Sequence, residues 1–417
     1  MEDWYAVIDI KAFYASFECI ERGLDPFTTP LAVTDTARKE ATIVLSVSPY
    51  LKKLGVPSRC RRKDLPTDIK DLIYATPQME KYVKCSAKIV SIFLDYVAQD
   101  DIHVYSIDES FLHLSPYLTL YKTTPQGLCK MIQKRIKDET GLTVTCGIGE
   151  NMFLAKMADD KEAKNAKGYI ATWKKEDIPN KLWPIKPLSE VWGIAKGYEK
   201  RLNTMGIYSV YDLAHYDKDI LIKKFGIMGE ELYNHANGID NTNIRERYTP
   251  VNKNLSLGQV LLRDYTYKEI PLILKEMCDD LTSRMRSFSL ECEVIHLMIG
   301  YSSCSYAVGF AHQVQLLMPT CNNNKIYEAI MYIYNSYIED YPIRRIDISY
   351  TKLSKAKKNK QLSLFDDEEK SINEEKLFKA MDSVQNKFGK NKLLRTSSLT
   401  KASTAKERHN QIGGHRK

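Results

Sequence analysis

Six residues, Tyr105-Ser106-Ile107-Asp108-Glu109-Ser110, constrain this chain more than any other stretch. They lie between two apolar runs, 102–105 and 111–114, rich in β-formers, so the segment predicts a β-hairpin with two adjacent carboxylates at its tip. Neighbouring carboxylates repel unless a cation or proton compensates. A hard divalent ion is the natural compensator, and Mg²⁺ is usually held by one or two carboxylates plus substrate phosphates. The alternative is a solvated acidic turn, the commoner meaning of a lone Asp-Glu pair. A third acid tips the balance: Asp9 stands near the end of the apolar run WYAVIDI (4–10), as on a buried strand that delivers a carboxylate.

The 417 residues suggest two to four domains, and 43% hydrophobic with 27% charged residues suits a packed protein. The net charge of +8 is compatible with nucleic acid, with an anionic membrane, or with nothing specific. Nine cysteines without a C-x-x-C pair argue against zinc and a disulfide framework, and for reduced thiols in the cytoplasm. The N-terminus shows no signal peptide. The span 294–324 lacks Asp, Glu, Lys and Arg, yet His296, Ser302, Ser303, His312, Gln313 and Gln315 interrupt it; it reads as strands rather than a membrane helix.

Strand patterns at 31–34, 42–47 and 142–148 alternate with helical patterns at 11–22, 49–54, 79–98, 125–139 and 152–161, an α+β arrangement. Residues 147–151 read as a turn. Arg59, Arg61, Arg62 and Lys63 form a basic loop. From Trp183 onward, short helices are joined by Gly-rich turns, among them Gly193-Ile194-Ala195-Lys196-Gly197. Such turns expose main-chain N–H groups to phosphates, although a helical bundle with ordinary Gly caps is the commoner meaning of the spacing. After a linker come four strands (255–262, 295–300, 306–317, 343–350) and two helices (268–290, 326–338), a four-stranded sheet backed by two helices. Arg344 and Arg345 are expected on opposite faces of the last strand. Residues 351–360 form a basic linker. Gln361-Leu362-Ser363-Leu364-Phe365 then stand between charge runs, an apolar peptide suited to a partner's pocket. One amphipathic helix (373–388) and a mobile basic end (401–417) complete the chain.

Three segments in order, Asp9 to Glu18 (DIKAFYASFE), 105–110, and Gly147 to Lys156 (GIGENMFLAK), resemble the motifs of Y-family DNA polymerases, in particular the UmuC-like UV-damage-repair branch of Gram-positive bacteria and their mobile elements. The resemblance spans residues 3 to about 350. It implies a right-hand polymerase with palm (1–23 and 81–174), fingers (24–80), thumb with helix–hairpin–helix turns (175–240), linker (241–254) and little finger (248–350), then a clamp-binding peptide (361–365) and a tail with one helix (366–417). It implies error-prone, template-directed translesion synthesis with two Mg²⁺ ions held by Asp9, Asp108, Glu109 and the Ile10 carbonyl. Phe13, Tyr14, Lys52 and Lys156 would meet the incoming nucleotide, Tyr14 as a steric gate against the ribose 2′-hydroxyl; its alternative is a core aromatic. Gly193, Ile194, Lys196, Arg344 and Arg345 would contact DNA, and 361–365 a bacterial sliding clamp. The implied partners are primer-template DNA, dNTPs and that clamp, with no membrane, for a monomer. One departure stands out: where many members carry Tyr and Arg on the finger helix, this chain has Pro49 and Lys52, a charge without a bidentate fork. Asp159 lies nearby with no role assigned. A catalytically silent DNA- and clamp-binding protein, or another palm-type enzyme such as a nucleotidyl cyclase, are the competing functions.

Overall fold

The first strand, β1 (Tyr5–Ile10), carries Ala6, Val7 and Ile8 with essentially no exposed surface, a run apolar on both faces that suits only a covered, central strand. The structure, a computed structural model, describes residues 3–38, 42–246, 253–356 and 368–417, with side chains of the last stretch from 373 onward; the peptide 361–365 lies outside the described residues. The chain divides into two units, Met1–Arg247 and Tyr248–Lys417.

In the first unit β1 is followed by α1 (Phe13–Glu21), β2 (Leu31–Val33), β3 (Ser46–Val47), α2 (Pro49–Lys53), β4 (Ile73–Ala75), α3 (Met79–Leu94), β5 (Ile102–Val104), β6 (Glu109–His113), α4 (Ser115–Leu118), α5 (Pro125–Thr140), β7 (Val144–Gly149), α6 (Met152–Ala158) and β8 (Ile170–Trp173). A five-stranded sheet runs β5-β6-β1-β7-β8, antiparallel except for the β7–β8 pair. The acidic hairpin is β5–β6, hydrogen-bonded directly to β1. Strands β3, β2 and β4 make a separate small sheet. Four short helices follow, α7 (Lys196–Asn203), α8 (Val210–Ala214), α9 (Lys218–Phe225) and α10 (Ile227–Ala236), burying Leu202, Leu213, Leu221 and Leu232 in a core shared with Phe153 and Leu154 of α6.

The pattern at 147–151 suggested a turn, but Gly147 and Gly149 belong to β7, and only Glu150 and Asn151 bend the chain. The glycines are needed for close approach. A Cβ on Gly147 would stand 2.2 Å from the Ala155 carbonyl oxygen and 2.3 Å from the Asp159 nitrogen. Asn151 then starts α6, its Oδ1 accepting from Leu154 N at 2.8 Å. Gly147→Ala is therefore expected to destabilise the first unit by about 3 kcal/mol, the upper end of overpacking, since main chain rather than a flexible side chain must move. A urea midpoint equal to the parent's would show that α6 shifts at little cost.

The second unit holds β9 (Leu255–Tyr265), α11 (Ile270–Ser287), β10 (Leu290–Tyr301), β11 (Phe310–Thr320), α12 (Asn323–Tyr337), β12 (Ile343–Thr351) and β13 (Ser354–Lys355). The order is β11-β10-β12-β9, all antiparallel, with β13 on β10. Leu274, Met277 and Leu281 of α11 and Ile330 and Ile333 of α12 pack against Ile295, Leu297, Ile346 and Ile348 of the sheet. The charge-free span 294–324 is thus mostly strand, and among the described residues no helix is long and apolar enough to cross a membrane.

Two expectations change here. Arg344 and Arg345 do not split between faces as strict alternation requires. A register shift between Ile343 and Arg345 interrupts the period: Ile343 and Ile346 are both buried, while the arginines are 40% and 57% exposed. Each already meets a carboxylate, Arg344 on Asp264 at 3.1 Å and Arg345 on Asp347 at 2.7 Å. The basic end, expected to be mobile, is docked. After α13 (Glu368–Phe388) come α14 (Ala405–His409) and a hairpin, β14 (Gln411–Ile412) with β15 (His415–Arg416). Asp279 of α11 holds Arg395 at 2.5 Å, Asp280 holds Arg408 at 2.8 Å, and Glu276 accepts from Ser403 Oγ at 2.6 Å. Arg286 of α11 reaches Asp382 of α13 at 2.7 Å. Within the end expected to be mobile, Arg408 and His409 are complements to the acidic face of α11.

Candidate active site

The pairing of β1 with β6 sets Asp9 opposite Glu109, a relation that places Cα atoms about 5 Å apart. Asp108 occupies the turn before β6. Its carbonyl accepts from Ile10 N at 2.8 Å, and its Oδ1 accepts from Ser106 Oγ at 2.7 Å. One sheet end thus gathers Asp9, Asp108 and Glu109. Ile10 has a buried side chain, so what it offers there is main chain.

Two lysines reach these acids. Lys164 Nζ lies 3.1 Å from Asp9 Oδ2, and Lys156 Nζ lies 2.8 Å from Glu109 Oε1. Burial, and then the Asp108 charge, push the Asp9 carboxyl above its usual range, with Lys164 opposing. Burial raises Glu109 to about 6 against the pull of Lys156, and Asp9 adds to the rise. Burial works to lower the Lys156 ammonium, but Glu109 and Asp160 override it and hold it above the ordinary lysine value.

Among the described residues no three His, Cys, Asp or Glu side chains form a ready-made ion cage; Asp9 and Glu109 are engaged by ammonium groups instead. The donor set nevertheless suits a hard divalent ion. It consists of carboxylates on one sheet end, two of them pushed toward protonation by burial and then by a neighbouring acid's charge, Asp108 on Asp9 and Asp9 on Glu109, which a cation relieves.

Tyr14 stands at the start of α1, two residues past Ala12, whose φ of 49° turns the chain sharply from strand to helix. Alanine in that left-handed conformation costs roughly 1–2 kcal/mol, and it brings α1 beside the acids. The Tyr14 ring stacks on Tyr82 of α3 with centroids 4.6 Å apart. Phe13 is 3% exposed, and its ring packs against Tyr14, Phe17 and Tyr82. Lys52 on α2 is exposed and within electrostatic reach of Asp9 and Asp108. Among the thumb candidates, Gly193 and Lys196 are exposed at the start of α7, whereas Ile194 is buried and has only main chain to give.

Reading the residues alone left Asp159 without a role and missed Asp160 and Lys164. Asp160 Oδ1 binds Lys156 at 3.1 Å and Lys164 at 2.7 Å. The i, i+4 spacing of all three was visible, and such pairs meet on helices. Asp159 is fully buried, accepts from Thr145 Oγ1 at 2.5 Å, and is raised to about 6, chiefly by burial.

A family model described as impB/mucB/samB matches residues 8–160, and that of the same family's C-terminal domain matches 252–364. The chain belongs to the impB/mucB/samB family. The first match ends just past α6 and so takes in all three acids and Lys156. "Putative UV-damage repair protein UvrX" of Bacillus subtilis (strain 168) is 38% identical over 412 residues, covering 98% of this chain and 96% of that protein. "DNA polymerase IV 2" of the same strain is 32% identical over 415 residues, covering 99% and 98%. Among solved structures, "Y-family DNA polymerase chimera Dbh-Dpo4(243-245)-Dbh" shares the fold with a TM-score of 0.68 at 18% identity, covering 84% of this chain and 99% of that one. The chain therefore has the Y-family polymerase fold expected from the motifs.

Proposed function

We propose that Asp9, Asp108 and Glu109, with the Ile10 carbonyl, hold two Mg²⁺ ions at a primer end. The chain is a DNA-directed DNA polymerase of translesion synthesis. The observation that carries the site assignment is the register of β1 on β6, which sets Asp9 opposite Glu109 with Asp108 in the adjoining turn. When bound, the ions supply charge stabilisation to the attacking and leaving oxygens of nucleotidyl transfer. The protein's own part is to fix Asp9 and Glu109 on paired strands with Asp108 in the adjoining turn, to wall the nucleotide's sugar with Tyr14, and to bring Lys156 and Lys52 to its phosphates as point charges. We assign palm, fingers, thumb and little finger to 1–23 with 81–174, 24–80, 175–240 and 248–350. Gly193 and Lys196 would grip the DNA backbone through the thumb, and Arg344 and Arg345 from β12, once released from Asp264 and Asp347.

Primer extension by the purified protein with Mg²⁺ and dNTPs, with and without template, tests this reading. Template-dependent incorporation is expected. No incorporation would favour a silent accessory protein, and template-independent product another palm-type enzyme.

The peptide 361–365 is our candidate tether to a sliding clamp, since raising local concentration enhances binding without new contacts at the catalytic site. Leu364→Ala with Phe365→Ala is expected to abolish clamp-stimulated synthesis and leave basal extension unchanged. Equal stimulation of the variant would exclude the peptide as the tether. We take the polymerase to act as a cytoplasmic monomer.

A further inference from the structure

Lys164 has no part in the function proposed above. Its Nζ lies 2.7 Å from Asp160 Oδ1, 3.1 Å from Asp9 Oδ2 and 3.4 Å from Asp159 Oδ2. Asp160 in turn holds Lys156, and Lys156 holds Glu109. A line of alternating charge therefore runs Asp9, Lys164, Asp160, Lys156, Glu109, with an ammonium on each outer acid and one carboxylate between the two ammoniums.

Local architecture fixes this line. A π-helical turn, Asp159–Ala163, follows α6 directly, and such turns recur at functional sites. It ends at Lys164, whose carbonyl accepts from Lys11 Nζ at 2.7 Å, so this backbone is tied to the residue that follows β1. Asp159 beneath is immobilised by Thr145. Lysine suits the position: its compact ammonium has three donors, and three carboxylates surround it.

Resting on the assignment of Asp9 and Glu109 as ion ligands, we infer that Lys164 is a positioning residue that acts as an internal counter-cation. It neutralises Asp9 in the ion-free protein, it competes with the divalent ion for that carboxylate, and Asp160 supplies the place to which it withdraws.

The test is a titration of the full-length protein with Mn²⁺ alone, without DNA or nucleotide, followed by the magnetic resonance signal of free Mn²⁺. Lys164→Gln is expected to bind Mn²⁺ on the order of tenfold more tightly, the scale of one like charge removed from a carboxylate site. Lys161→Gln is the control. It removes the same charge from the same turn, but its ammonium sits on Glu190 at 2.6 Å, and its affinity should match the parent's. Equal tightening by both variants, or none by Lys164→Gln, overturns the inference. Asp9→Asn separates the two levels: if it leaves Mn²⁺ binding intact, the ligand assignment itself falls; if it weakens binding while Lys164→Gln does not tighten it, only the counter-cation role falls. Should Lys164→Gln not fold, Asp160→Asn decides. It leaves both lysines to Asp9 and Glu109, so weaker Mn²⁺ binding supports the role and unchanged binding overturns it.

Discussion

Asp108→Ala is expected to slow template-directed primer extension by on the order of a thousandfold or more, the several kcal/mol that a positioned metal ion contributes to phosphoryl transfer. The substitution separates chemistry from folding. What Asp108 gives the fold is its main-chain carbonyl, which accepts from Ile10 N at 2.8 Å and closes the acidic turn onto β1. Alanine keeps that bond. What it removes is a carboxylate aligned by Ser106 Oγ at 2.7 Å. The variant should therefore melt close to the parent while its single-turnover rate at saturating dNTP collapses. Extension within tenfold of the parent would remove Asp108 from the ion site.

Tyr14→Ala should lower the preference for deoxyribonucleotides over ribonucleotides by about a hundredfold, the scale on which an apolar pocket rejects one added hydroxyl. A wall of this kind works only if it does not yield. Tyr14 stacks on Tyr82, and Tyr82 is fully buried with its hydroxyl donating to Glu18 Oε1 at 2.5 Å. Glu18 is also fully buried, accepts from Gln78 Nε2 at 3.1 Å, and pairs with Arg22. Backed in this way, the Tyr14 ring has little room to retreat from a 2′-hydroxyl. The ratio of kcat/KM for dATP and ATP against the same template measures the effect; an unchanged ratio would assign the gate elsewhere.

Much of the acidic sheet end was legible because it rests on short-range pattern. A buried apolar run interrupted by a carboxylate marks β1, and two β-rich runs around Asp108-Glu109 mark β5–β6. Other features depend on partners that periodicity does not reveal. Gly147 looks like turn punctuation, yet its role is set by α6 lying against β7. The outward exposure of both Arg344 and Arg345 follows from a register shift between strands that are themselves distant in sequence. Lys164 reaches Asp9 only through a widened helical turn, since an ideal α-helix carries the spacing of Lys156, Asp160 and Lys164 but gives no sign that a strand end lies beside it. The basic C-terminal residues read as solvated because their acidic complements, on α11, come more than a hundred positions earlier.

That last packing bears on how deletions should be interpreted. Shortening the chain to residue 389 would strip α11 of the cations at Asp279 and Asp280 and leave buried Glu276 without Ser403. Asp279 and Asp280 are partly exposed, so water would replace much of what they lose, whereas Glu276, 2% exposed, carries the larger cost, about 3–5 kcal/mol if it stays buried. Impaired lesion bypass by a shortened protein would thus report first on the integrity of the sheet unit, before anything about whom the extremity recruits.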